Sequence, residues 1–184
     1  MKNRRNTSSD RKRASRVALG GLLTGLGVVS MYLGSFIEVL DLTVAVIASL
    51  FCIVAVIEMN KKWALAIYAA TAILSVLLIP NKFPAAVYLL FAGYYPILKE
   101  ILEGRIRLRA PAYAIKLAIF NIAFAAIAAV SVFILRLPVE KGVMLIALAV
   151  LGNLTFVVYD FALTRLITTY IVRLRPRFSF LSKK

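Results

Sequence analysis

Six stretches of about 20 mostly apolar residues, each closed by a short polar or proline-bearing break, constrain this chain more than any other feature. They fall at 17–36, 39–59, 62–79, 84–102, 113–135 and 142–166. The breaks are Glu38 to Asp41, Glu58 to Lys62, Pro80 to Pro84, Lys99 to Pro111 and Arg136 to Gly142. As a helix, a run of that length crosses the hydrocarbon core of a bilayer, where every backbone polar group must be satisfied internally. The composition agrees: 62% hydrophobic and 17% charged residues lie outside the range of a water-soluble domain. The expected fold is all-α, a polytopic membrane protein with six transmembrane helices in one bundle. Fusing the first two runs through Gly34-Ser35 would make a helix too long for any bilayer, so they count as two spans.

An even number of crossings puts both ends on one side, and the cations choose the side. Seven of the 23 Lys and Arg precede Val17, two are Lys61 and Lys62, five lie from Lys99 to Lys116, and six follow from Arg165 onward. Only Lys82, Arg136 and Lys141 fall on the opposite side. This asymmetry predicts cytoplasmic termini in a multi-pass protein of a cell membrane, the cytoplasmic membrane of a prokaryote (bacterial). Residues 1–15 are expected to be a disordered, retained basic tail, with 16–184 forming the six-helix domain and its basic carboxyl end. The connection near 103–112 is expected to run along the membrane surface. The basic edges attract anionic headgroups of membrane lipids, about 1 kcal/mol for each residue close to the surface. No nucleic-acid module accompanies the tail, so no nucleic-acid partner is expected.

Candidate chemistry is sparse. With no histidine and one cysteine, the chain offers no disulfide framework, no zinc site of the usual type and no histidine proton shuttle. It also carries no Walker loop, no Gly-x-Ser-x-Gly elbow, no His-Glu-x-x-His and no clustered aspartates. No enzymatic activity, cofactor or metal is expected. Asn121 and Asn153 fall at nearly equal depth in the fifth and sixth spans; an interhelical amide pair, worth about 0.6 kcal/mol, or a ligand contact would satisfy them. Asp160 is the one acid well inside an apolar helix. It is expected to pair with Lys116 of the antiparallel fifth span or with Arg165, since a lone acid so near water makes a poor proton relay. Glu38 and Asp41, on the first external connection, either stay hydrated or meet a cationic or hydroxylated ligand. Tyr32, Tyr68, Tyr88, Tyr94 and Tyr95 suit packing or interfacial anchoring. Gly93-Tyr94-Tyr95-Pro96 loosens the fourth helix, because proline removes a backbone bond. Cys52 reads as a small apolar filler.

The first helix carries small residues at Ala14, Ala18, Gly21 and Gly25, a stripe along which another helix can approach closely. Two readings follow: packing within the bundle, or docking of another membrane protein. Short length, six spans, cytoplasmic termini and a basic tail entering Arg16-Val17-Ala18-Leu19-Gly20-Gly21-Leu22-Leu23-Thr24-Gly25 together resemble the substrate-binding S component of energy-coupling-factor transporters. In that family an Ala-x-x-x-Ala-like stripe on the first helix meets a transmembrane coupling subunit bound to two ATPases. Here Ala14, Ala18, Gly21 and Gly25 take the corresponding places, partly with glycine. The resemblance implies an external cavity capped by Gly34 to Asp41, with Tyr32, Glu38, Asp41, Tyr88 and Asn153 as ligand-binding residues. It implies a small vitamin-like or lipid-like ligand, imported by toppling of the subunit. The alternative is a non-transporting scaffold resembling rod-shape-determining small membrane proteins, in which the same stripe recruits partners and side chains fill the pocket. A channel-like reading finds no charged pore lining.

Overall fold

The structure, a computed structural model, describes residues 3–106, 108–136 and 143–174, and their side chains except those of 3–12, 38, 109 and 174. Among the described residues it is helical throughout, with no strand. The helices are α1 (Asn3–Gly34), α2 (Asp41–Glu58), α3 (Lys61–Leu78), α4 (Lys82–Val87), α5 (Tyr95–Arg105), α6 (Arg109–Phe133) and α7 (Val143–Thr169). Six apolar segments are long enough to cross a membrane: Arg13–Gly34, Asp41–Glu58, Lys61–Leu78, Lys82–Arg105, Ala110–Phe133 and Val143–Arg173. They coincide with the six apolar runs of the sequence, shifted by a few residues at their ends.

Local chemistry sets the boundaries. Asn60 caps α3, its Oδ1 accepting from the Lys62 and Trp63 amides at 3.0 and 3.2 Å. Lys82 donates its Nζ to the Val76 and Ile79 carbonyls at 2.7 and 2.6 Å, closing the other end of that helix. Asn81 caps α4 through the Phe83 amide at 3.1 Å. The fourth span is α4 and α5 joined through a π-turn at Tyr88–Ala92, where the Gly93 amide donates to the Tyr88 carbonyl five residues back at 2.8 Å. The break lies just ahead of Pro96, whose ring nitrogen has no hydrogen to donate. Glycine fits closely there, since a Cβ on Gly93 would stand 2.6 Å from the Tyr68 ring and 2.7 Å from the Tyr88 ring and force them to shift.

The segment from Asn3 to Ser15 forms the first turns of α1. No proline or glycine interrupts it before Gly20, and its Arg and Lys are good helix formers, so the apolar helix propagates backward through them. The chain divides into two compact units, Met1–Leu98 and Lys99–Lys184.

In the first unit α1 packs on α2 and α3. Its buried face runs through Gly20, Leu23, Gly27, Met31 and Gly34. A Cβ on Gly27 would come within 3.1 Å of Thr71 Cγ2, and one on Gly34 would run into the Val44 side chain. Ala45, Ala48 and Ala55 of α2 and Ala64 and Ala72 of α3 are buried as well, small side chains that permit close helix approach. The fourth span contributes Tyr88, Phe91 and Tyr95, with Phe91 and Tyr95 rings 4.9 Å apart and the Tyr68 hydroxyl donating to the Leu89 carbonyl at 2.7 Å.

In the second unit α6 and α7 run antiparallel: Lys116 meets Asp160, Phe120 stacks on Phe156 at 4.7 Å, and Asn121 meets Asn153. Gly152 lets the Phe124 ring approach, its absent Cβ lying 3.1 Å from Phe124 Cε2.

Candidate functional site

The strongest concentration of polar chemistry lies in the second unit, where α5, α6 and α7 each contribute charge. Lys99 and Glu103 are four apart on α5 and share a face. Lys116 stands on the second turn of α6, and Asp160 projects from α7. Lys99 Nζ donates to Asp160 Oδ1 and to the Asp160 carbonyl at 3.0 Å, and forms an ion pair with Glu103 Oε1 at 3.3 Å. Lys116 Nζ donates to Glu103 Oε1 at 2.6 Å and lies 3.4 Å from both Asp160 oxygens. The Thr164 hydroxyl donates to the Asp160 carbonyl at 2.9 Å. Both lysines are almost wholly enclosed, at 1% and 5% side-chain exposure; Asp160 stands at 11% and Glu103 at 46%. Two positive and two negative groups balance, which a charge removed from water requires.

Sequence reasoning placed Asp160 beside Lys116 or Arg165. The structure brings Lys116 to it, while the Arg165 guanidinium lies over the Phe161 ring, 5.2 Å from its centre. Lys99 and Glu103 were missed because the sequence assigns them to the basic connection after the fourth span. The available signal was their spacing of four on a helix that continues to Arg105.

The asparagines pair with each other. Asn121 Nδ2 donates to Asn153 Oδ1 at 2.9 Å, and Asn153 Nδ2 donates back to Asn121 Oδ1 at 3.1 Å. Their second amide protons go to the Leu117 and Ala149 carbonyls at 2.8 Å each.

Of the other ligand-binding candidates, Asp41, Tyr88 and Tyr32 sit in the first unit with partners of their own. Asp41 begins α2 and accepts from Asn81 Nδ2 at 2.8 Å, joining the starts of α2 and α4. Tyr88 is 1% exposed, its ring 6.0 Å from that of Tyr68. Tyr32 faces outward at 40% exposure, edge-on to Phe36 at 5.4 Å. The Glu38 side chain lies outside the described residues. No group of three or more metal-ligating side chains occurs among the described residues.

The small-residue stripe proves to be the face of α1 that the first unit does not use. Ala14, Ala18, Gly21 and Gly25 are all exposed, and at Gly21 and Gly25 a Cβ would meet no atom of α2 or α3 within 4 Å. Close packing within the unit uses the opposite set, Gly20, Gly27 and Gly34, spaced by seven residues. α1 therefore has two small-residue faces, one filled and one open. Comparison with protein families, with curated proteins and with solved structures finds no match to this chain.

Proposed function

We propose that the chain is a multi-pass subunit of a prokaryotic cell membrane, with both termini in the cytoplasm, that works by docking a partner membrane protein on α1. Its role on this reading is that of the substrate-binding subunit of an energy-coupling-factor type importer, holding a small vitamin-like or lipid-like molecule from the external side. The observation that carries it is the outward position of Ala14, Ala18, Gly21 and Gly25 beside a separate glycine set that serves the chain's own packing. Glycine and alanine on a lipid-facing surface forgo dispersion contacts that a Leu would make, and a partner helix restores them. The partner would be a transmembrane coupling subunit with its ATPases.

A second reading is favoured by a different observation. Asp41, Tyr88 and Asn153, three of the five ligand candidates, are already engaged by Asn81, Tyr68 and Asn121. A scaffold that recruits partners through the same α1 face, with its interior filled by side chains, needs nothing more from them.

One experiment separates the two. The chain is purified from its native membrane in mild detergent, and both its protein partners and its small-molecule content are identified by mass spectrometry. An importer subunit brings ATPase-bearing partners and a stoichiometric small molecule. A scaffold brings partners alone. Recovery without any membrane partner, for both the wild type and Gly21→Leu, contradicts docking on α1.

A further inference from the structure

We propose that Lys99 and Lys116 form a binding site for a phosphate group, that of an anionic lipid headgroup, and that the Glu103 carboxylate is its tethered resting occupant. This goes beyond the docking role of α1 and depends only on α5, α6 and α7. Two enclosed ammonium groups converge on one oxygen, Glu103 Oε1, at 3.3 and 2.6 Å. Asp160 holds both lysines from the other side and is itself only 11% exposed. Glu103 differs from the other three members in being 46% exposed, so it alone can turn into water at small desolvation cost. Once it leaves, Lys99, Lys116 and Asp160 carry one net positive charge in an enclosed place, with donor protons unfilled.

A phosphate supplies what the carboxylate supplied: an anionic oxygen able to accept from two ammonium groups at once. The position suits a headgroup. Glu103 stands about 3 Å from the end of α5 and Lys116 about 10 Å from the start of α6, by a rise of 1.5 Å per residue. The depth of Glu103 matches the polar layer, about 5–8 Å thick on each side of a bilayer, and the long Lys116 side chain reaches out to it. Arg105 closes α5, and Arg107 and Arg109 follow it in the sequence, adding long-range attraction for anions.

The test uses the purified full chain in detergent, with native mass spectrometry reading bound lipid. The probes are phosphatidylglycerol, phosphatidylcholine and soluble glycerol 3-phosphate. Glu103→Gln removes the competing anion but keeps the shape, and it is expected to raise phosphatidylglycerol retention over wild type by about tenfold. Adding Lys116→Gln to that variant should return retention to the phosphatidylcholine level. Glu103→Ala provides a second exposed-position variant with the same expectation should Glu103→Gln express poorly. Enrichment of phosphatidylglycerol alone assigns the site to lipid. Enrichment of glycerol 3-phosphate alone upholds the phosphate site but overturns the lipid source. Equal retention of all probes by wild type and both Glu103 variants overturns the proposal, leaving the four charges as an internal ion-pair cluster.

Discussion

The helices of the first unit are joined by small residues and interlocking apolar side chains, whereas α6 and α7 are joined by charges, amides and one ring stack. In α2 44% of residues are buried; in the most apolar 18-residue stretches of α6 and α7 only 11% are. Helices in lipid gain little from hydrophobic association, because the tails are as apolar as leucine. What remains is close van der Waals packing, which needs Gly and Ala, or polar bonding, which needs partners at matching depth. The first unit takes the former route through Gly20, Gly27, Gly34 and the alanines of α2 and α3. The second takes the latter, through Asp160 with its lysines and through Asn121 with Asn153. The second unit should therefore depend on a few residues, and the first on many.

The largest expected effect is at Asp160. Asp160→Asn leaves two enclosed ammonium groups sharing the half-exposed Glu103, a loss of about 3–5 kcal/mol. Denaturation in detergent measures the total. Hydrogen exchange locates it, with faster exchange in α6 and α7 and unchanged protection of α2 and α3. Uniform acceleration along the chain would dissolve the distinction between the units.

Next come the glycines of the first unit. Gly34→Ala drives a methyl into Val44 and Gly93→Ala drives one into Tyr68 and Tyr88, each costing about 1–3 kcal/mol by overpacking. Melting in detergent checks both, and a neutral result at Gly34 would show that α1 and α2 are not closely engaged there.

Smaller still is the amide pair. Replacing Asn121 and Asn153 together by Leu removes both partners at once, so the change should be about 0.6 kcal/mol. A double-mutant cycle reads the coupling, and a much larger value would mean that the asparagines organise α6 and α7 more than the charges do.

Smallest is Gly21→Leu, expected to leave melting unchanged because a Cβ there meets no atom of α2 or α3 within 4 Å. A clear drop in melting temperature would show that the face belongs to the chain's own packing.

Hydropathy made the six spans legible, since apolar length is a property of single segments and needs no knowledge of neighbours. The Asn121–Asn153 and Asp160–Lys116 juxtapositions were legible as well, because depth along two antiparallel helices follows from rise per residue. The outward turn of Ala14, Ala18, Gly21 and Gly25 was not. α1 carries a second set of glycines at 20, 27 and 34, and periodicity alone does not tell which set faces the neighbouring helices. Lys99 was hidden for another reason. A lysine near the end of an apolar run counts equally well as a loop cation, and only the arrival of Asp160 from α7, 61 positions along the chain, marks it as interior. The ligand-binding candidates Tyr32, Asp41, Tyr88 and Asn153 were chosen by type and level, and neither property reveals that Asp41 is held by Asn81 or that Tyr88 is enclosed.

The open face of α1 is tested most directly by photo-crosslinking in living cells, with a photoreactive residue placed at position 21 in one chain and at position 27 in another. A partner docked on the outward face gives a discrete adduct with another membrane protein from position 21, and only internal links from position 27, where Thr71 stands close. Lipid adducts alone from position 21, or the same protein adduct from both positions, would contradict the assignment of that face to a partner.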